Sequence, residues 1–153
     1  MRGILACAAG LGLACGADST SLPAVLSYSA TLTGAHEVPA VVTSATGTAS
    51  LVLTGTHVTY TVATTGFTTP LTVGHVHFGA PGETGPVIVP FIIVAQSGTV
   101  ATGSIDVGAP VTFGNITISG DSLRRLFDAG RVYVNLHTAG FPGGEIRGQV
   151  VRR

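Results

Sequence analysis

Short segments in which apolar and polar residues alternate recur along most of this chain, at intervals of about ten residues. Gly, Pro and Thr residues separate them, and a Thr-Gly-Thr turn at 54–56 joins two of them as a hairpin. The eight segments are 27–33, 47–53, 57–64, 71–78, 86–94, 98–107, 131–138 and 145–151. Alternation with a period of two is typical of strands that bury one face. The pattern predicts an all-β, single-domain antiparallel Greek-key sandwich or barrel of about eight strands.

Two stretches depart from this alternation. The segment 86–94 is apolar throughout, which predicts a strand buried on both faces or lying against a second sheet. Residues at about 121–129 carry an apolar edge at helical spacing, formed by Leu123, Leu126 and Phe127. Ser119 or Asp121 is suited to cap the start of this helix, and Gly130 suits the position after its end. We therefore expect one short surface helix inserted among the strands.

Composition excludes several classes of protein. The chain has 153 residues, enough for one domain with its own core. Charged residues make up only 9%, and hydrophobic residues make up 45%, which argues against intrinsic disorder. There is no Lys and no cluster of Arg that could neutralise a row of phosphates, so we expect no nucleic-acid partner.

The first residues have the character of a secretory leader. One Arg precedes an apolar stretch of about a dozen residues, which is too short to span a membrane but suits a signal peptide at 1–15. The stretch ends at Cys15 and is followed by a polar linker at 16–26, as in a bacterial lipoprotein signal. Lipidation at Cys15, simple cleavage, and an apolar N-terminal strand all remain open. Lipidation and simple cleavage both place the domain at 27–151 outside the cell or in its envelope. We expect contact with a membrane only through a lipid anchor at Cys15.

A pair of histidines, His75 and His77, ends the segment 71–78. Side chains two residues apart on a strand project from the same face, so both imidazoles should reach one point. The last two segments are joined by a short turn at 139–144 and should form a hairpin. Their apolar faces must both point to the core, so their polar faces coincide and bring together Asn135, His137, Glu145 and Arg147.

Three histidines and a carboxylate would suffice to bind Zn²⁺ or Cu²⁺ if the sheet order places the strand 71–78 beside that hairpin. The ligands would then be His75, His77 and His137, with Glu145 as a ligand or a support for one. In the alternative interpretation the histidines donate hydrogen bonds to carbonyl groups of the Gly- and Pro-rich turns that follow them. Hydrolysis is the third interpretation, although no Ser lies in a Gly-x-Ser-x-Gly context.

Glu37 is the remaining polar residue of interest. It is a single acid in an apolar loop, so it needs water, backbone N–H groups or an Arg as its partner, and Arg147 is a candidate. His36 and His57 are expected to face solvent, which makes them weaker candidates for a site.

Three blocks of sequence, at 34–49, 75–87 and 133–149, together resemble the CHRD domain family, named after chordin. The blocks read GAHEVPAVVTSATGTA, HVHFGAPGETGPV and YVNLHTAGFPGGEIRGQ. The resemblance implies an extracellular or envelope module without catalytic activity, whose partner is unknown. The characteristic polar positions of the family fall here on Glu37, His75, His77, His137, Glu145 and Arg147. We therefore expect a non-catalytic binding or structural module without a cofactor, the alternative being a Cu- or Zn-binding domain.

Overall fold

A computed structural model describes residues 24–153 of the chain. The predicted signal peptide at 1–15, the lipidation at Cys15 and all but the end of the linker at 16–26 lie outside the described residues. Within the described part, no helix is long and apolar enough to cross a membrane.

The described chain folds into a nearly closed antiparallel barrel, as the alternating segments predict. Its strands are β1 (Val25–Thr33), β2 (Thr46–Thr54), β3 (His57–Thr65), β4 (Leu71–Phe78), β5 (Val87–Pro90), β6 (Gly98–Asp106), β9 (Val132–Thr138), β10 (Ile146–Gln149) and β11 (Val151–Arg152). A short 3₁₀ helix, η1 (Gly34–His36), follows β1. The order around the sheet is β5-β4-β9-β10-β1-β2-β3-β6, and β11 continues β10 along β1. The connections from β3 to β4 and from β6 to β9 join strands that are not neighbours, as in Greek-key folds.

The barrel closes where β5 and β6 approach each other. Ile93 forms an isolated antiparallel bridge with Ala101, and the Val94 N–H donates to the Val100 carbonyl over 2.9 Å. The segment 86–94 is not one strand buried on both faces, but the alternative, that it lies against a second sheet, is confirmed for β5, which packs against a separate two-stranded sheet at 111–118. The strand ends at Pro90, the Phe91 N–H makes one further hydrogen bond to the Gly74 carbonyl over 2.8 Å, and Ile92 beyond it is 76% exposed.

The interior is filled by the apolar faces of the strands. In β2 and β3 buried and exposed residues alternate, as expected for strands with one face in water. In β9 all seven residues are buried, so both faces of this strand are covered. The outer face of β9 is covered by turns and carries polar side chains, and it is the region where the candidate site lies.

One helix and one further hairpin complete the described structure. The helix α1 (Gly120–Asp128) begins at Ser119, whose side chain accepts a hydrogen bond from the Ser122 N–H, and Gly130 follows its end with φ of 62°. The helix is thus confirmed close to the predicted bounds. The hairpin of β7 (Val111–Phe113) and β8 (Ile116–Ile118) was not among the predicted strands. Its two-residue Gly-Asn turn at 114–115 is a recognised hairpin signal.

Candidate functional site, a cluster of three histidines

Three neighbouring strands align their polar side chains in rows. Strand β9 lies between β4 and β10, and Asn135 of β9 is opposite His75 on one side and Arg147 on the other. Tyr133 is likewise opposite His77 and Gln149. This register supplies the sheet order that the sequence alone does not determine. It places the His75/His77 pair beside the face that carries His137.

His75, His77 and His137 form a compact cluster. Each offers one ring nitrogen, and the three nitrogens lie within 4.8 Å of one another. Nδ1 of His75 is 3.3 Å from Nε2 of His137. Two nitrogens bound to one tetrahedral Zn²⁺ at about 2.0–2.1 Å are separated by about 3.3 Å, so this pair is already at a ligand-like distance.

His77 is held in one orientation by a backbone carbonyl. Its Nδ1–H donates to the Gly85 carbonyl over 2.9 Å, since a carbonyl can only accept. The neutral ring therefore carries its lone pair on Nε2, and that atom is buried without a hydrogen-bond partner among the described residues. The residue as a whole is only 8% exposed. A buried nitrogen lone pair without a donor is costly unless something binds it.

His137 is oriented in the same way by the second turn. Its Nδ1–H donates to the Pro142 carbonyl over 2.9 Å, so Nε2 is the free nitrogen and faces His75. His75 is the most exposed of the three, and its Nδ1–H is the donor in the contact with Nε2 of His137. Metal-binding histidines commonly donate their second N–H to a backbone carbonyl, which fixes the ring and raises its basicity. Two of the three histidines here have that support.

Burial disfavours the charged form of two of the three rings, His75 and His77. It lowers the pKa of His75 to about 4, with repulsion from His137 and then His77 adding to the effect. Burial also lowers the pKa of His77, against the opposing effect of its hydrogen bond to Gly85. Neutral imidazole is the form that binds a metal, so neither of these two rings has to lose a proton before coordination at neutral pH.

A stack of rings continues from His77 towards β10. The His77 ring lies parallel to the Tyr133 ring, with centroids 4.8 Å apart and an angle of 11°. The Arg147 guanidinium carbon is 3.4 Å from the centroid of the same Tyr133 ring. The Tyr133 hydroxyl accepts a hydrogen bond from the Gly85 N–H over 3.1 Å. Tyr133 therefore supports both the His77 ring and the residue whose carbonyl orients it.

Glu37 lies at the other end of this polar region, and its nearest polar partner is not Arg147. Asn135 Nδ2 donates to Glu37 Oε2 over 3.5 Å, while Arg147 acts on the carboxyl only through its charge. Burial raises the pKa of Glu37 to about 7, although Arg147 and the Asn135 hydrogen bond lower it in part. Glu37 Oε1 and Asn135 Oδ1 are both buried with no hydrogen-bond partner in residues 24–153.

Glu145 does not join the histidines, contrary to the face argument from the sequence. Its carboxylate accepts hydrogen bonds from Thr43, over 2.6 Å, and from Thr138. Thr138 follows His137 on β9, so its side chain projects from the opposite face of that strand. The alternation of β10 does not extend to Glu145, because this residue lies in a bend just before the strand begins at Ile146. Glu145 is fully buried and is neither a ligand of this cluster nor a support for one.

Sequence reasoning overlooked the groups that orient the histidines. Two are backbone carbonyls, at Gly85 and Pro142, and backbone groups carry no signal in residue type. The third is Tyr133, which shares a face with Asn135 and His137 and could have been included on that ground. His36 and His57 are exposed, as predicted.

Comparison with known proteins gives one result. Residues 28–150 match the family model of the CHRD domain, which covers most of the chain. Neither the curated proteins nor the solved structures contain a significant match.

Proposed function

Because the chain belongs to the CHRD domain family, whose members are non-enzymatic and typically extracellular modules, we propose that it is a non-catalytic binding module of the cell envelope or the extracellular space. We propose further that the ligand is a divalent transition metal, Zn²⁺ or Cu²⁺, held by the three histidines. The observation that carries this proposal is the buried Nε2 of His77, which has no partner within the described chain while its Nδ1–H is fixed by the Gly85 carbonyl.

The donor set determines the class of metal. Imidazole nitrogens suit Zn²⁺ and Cu²⁺, whereas Ca²⁺ and Mg²⁺ require oxygen ligands. Nε2 of His77, Nε2 of His137 and Nδ1 of His75 would be the three ligands. Binding requires His75 to move its proton from Nδ1 to Nε2, which replaces the present contact with His137 and releases no proton. Three protein ligands leave a coordination position for water or for a group from a partner.

Metal titration tests the proposal. The protein is purified without an affinity tag, treated with a chelator and titrated with ZnCl₂, CuCl₂, CaCl₂ and MgCl₂ by calorimetry. We expect one tightly bound equivalent of Zn²⁺ or Cu²⁺ and no comparable binding of Ca²⁺ or Mg²⁺. Weak, non-saturating binding of all four ions would contradict it.

Matched variants locate the site. His77→Ala and the more exposed His75→Ala should each weaken binding by about 100-fold or more, since each removes a ligand rather than its support. His57→Ala, at an exposed histidine on β3, is the control and should leave the affinity unchanged. Circular dichroism of each variant shows whether the fold is retained. Equal losses in His57→Ala and His75→Ala would overturn the assignment of the site.

The location in the envelope rests on the leader as well as on the family. We propose that the first residues direct secretion and that Cys15 carries the lipid anchor. The intact mass of the mature protein tests this proposal. A chain that begins at Cys15 with an added lipid supports the anchor, and an unmodified full-length chain in the cytoplasm contradicts it.

A further inference from the structure

A cleft lies between η1 and the turn at 80–82, next to the Arg147 end of the polar side chains on β9 and β10. Its volume is about 320 Å³, at the lower end of the range for small-molecule sites. Apolar groups from Ala35, Val38 and Pro81 line it, together with the polar side chains of His36, Glu37 and Arg147. None of the three histidines is among its lining residues. We therefore consider this cleft separately from the proposed metal site.

Arg147 is the cationic guanidinium of this cleft, and it has few hydrogen-bond partners. The residue is only 2% exposed, yet its single side-chain hydrogen bond among the described residues is a 3.3 Å contact from Nη2 to the Ala80 carbonyl. Its other contact is the stacking on Tyr133. No carboxylate of the described chain lies within ion-pair distance of it. A guanidinium has five N–H donors, so most of the hydrogen-bonding capacity of Arg147 is unused.

Glu37 faces the same cleft and would be the expected counter-ion, but its geometry indicates a different pairing. Oε2 accepts from Asn135 Nδ2, while Oε1 and the Asn135 Oδ1 are the two acceptors left without a donor. Both of these oxygens lie within 2.9 Å of the same point, the position of a Cβ added to Gly144. One proton on Oε1 would satisfy both, because the carboxyl could then donate to Oδ1 while the amide donates to Oε2.

We infer that the cleft binds a short aliphatic carboxylate on the Arg147 guanidinium, and that Glu37 favours this binding when it is protonated and paired with Asn135. A protonated Glu37 leaves Arg147 as an uncompensated buried cation, which a planar carboxylate can meet with two parallel hydrogen bonds. The apolar lining groups suit a short alkyl chain. An ionised Glu37 would instead place a negative charge beside the ligand and weaken its binding.

The other charged and titratable groups around Glu37 are few. Arg147 lies on β10, the neutral Asn135 lies on β9, and the exposed His36 ends η1 just before Glu37. The turns at 139–144 and 79–82 contain no titratable side chain. Glu83, the next acid beyond the second turn, lies 3.6 Å from Arg131. The high pKa of Glu37, raised by burial to about 7, is consistent with a proton on this carboxyl near neutral pH.

The test uses butyrate and its neutral isostere butyramide, titrated into the chelator-treated full chain. The side-chain Nε–H resonance of Arg147 is followed by nuclear magnetic resonance. At about pH 6 we expect a saturable shift with butyrate and none with butyramide, and at about pH 8 an affinity for butyrate that is about tenfold lower, as linkage to a group titrating near 7 requires. Equal responses to the two compounds, or no saturable shift with either, would overturn the inference.

Two variants separate the roles of the side chains. Glu37→Gln keeps a neutral partner for Asn135 and should bind butyrate at both pH values, without the tenfold change. Arg147→Lys keeps the charge but not the planar fork and should bind several-fold more weakly, while Arg131→Lys, on the exposed surface, should bind as the wild type does. A pH dependence that persists in Glu37→Gln, or a normal affinity in Arg147→Lys, would contradict the inference. The absence of metal makes these results independent of the histidine cluster.

Discussion

The imidazole of His77 and the carbonyl of Gly85 are joined by a 2.9 Å hydrogen bond that determines which ring nitrogen is free. Gly85 lies in the turn after β4, where its backbone passes very close to Phe78. A Cβ added at Gly85 would lie 1.7 Å from the Phe78 carbonyl oxygen. The turn can therefore orient His77 only while this position has no side chain.

The first prediction concerns this glycine. Gly85→Ala forces the turn away from Phe78 and moves the carbonyl from His77, so the affinity for Zn²⁺ should fall by about 10–100-fold, the usual effect of losing a group that supports a ligand. Gly143→Ala is the control in the other turn, because an added Cβ there meets nothing within 4 Å. Calorimetric titration of both variants measures the effect. An unchanged affinity in Gly85→Ala would show that this hydrogen bond does not prepare the site.

The second prediction separates Glu145 from the histidine cluster. Glu145→Ala removes the acceptor for two threonine hydroxyls in a fully buried location, so the free energy of unfolding should fall by about 2–4 kcal/mol. The affinity for Zn²⁺ should change little at a temperature where the variant is folded. Glu83→Ala, at an exposed acid, should alter stability by at most about 0.5 kcal/mol. Denaturant unfolding provides the first measurement, and loss of metal binding in folded Glu145→Ala would contradict our account.

The third prediction is the acid sensitivity of the metal-free protein. The pKa of His75 is lowered from 6.5 to about 4 in the folded state, so the unfolded chain binds more protons between these values. Stability contributed by the neutral ring is complete above about pH 6.5 and is lost as the pH falls towards 4. The lowered pKa of His77 acts in the same direction. His75→Asn should flatten the fall in unfolding free energy over this range, and an unaltered slope would show that His75 is not desolvated.

The fourth prediction is a contribution of Glu37 to stability that decreases as the pH rises, opposite in direction to that of His75. The pKa of Glu37 is raised from 4.5 to about 7, so the folded state holds a proton that the unfolded chain has lost. The stability that this proton contributes is complete below about pH 4.5 and is lost as the pH rises through 7. The difference in unfolding free energy between the wild type and Glu37→Gln should follow this course. If the difference is constant from about pH 4 to 8, the pKa of Glu37 is the same in the folded and the unfolded chain, and our account of this carboxyl is wrong.

Most of the barrel could be predicted from the sequence because its strands bury one face and so alternate strictly. The exceptions have local causes. The strand predicted at 86–94 ends at Pro90, because a continuous apolar stretch does not indicate where strand pairing stops. The β7–β8 hairpin has strands of only three residues, too short for alternation to be recognised.

The candidate site could be predicted in part, for a related reason. Strand periodicity correctly placed His75, His77, Asn135 and His137 on one face of neighbouring strands, and Arg147 opposite Asn135. Periodicity failed at Glu145, because this residue lies in a bend before β10 and does not follow the alternation of the strand. The carbonyl groups that orient the rings depend on the path of two turns, which residue type does not specify. Whether a metal occupies the cluster stays a prediction.

The most direct test is anomalous X-ray diffraction from crystals of the chelator-treated protein soaked in ZnCl₂. Our account predicts one strong peak at about 2.0–2.1 Å from Nε2 of His77, Nε2 of His137 and Nδ1 of His75. The hydrogen bonds from Nδ1 of His77 to Gly85 and from Nδ1 of His137 to Pro142 should be retained. A fully occupied zinc at the exposed His36 or His57, with no peak between the three clustered histidines, would contradict the central claim.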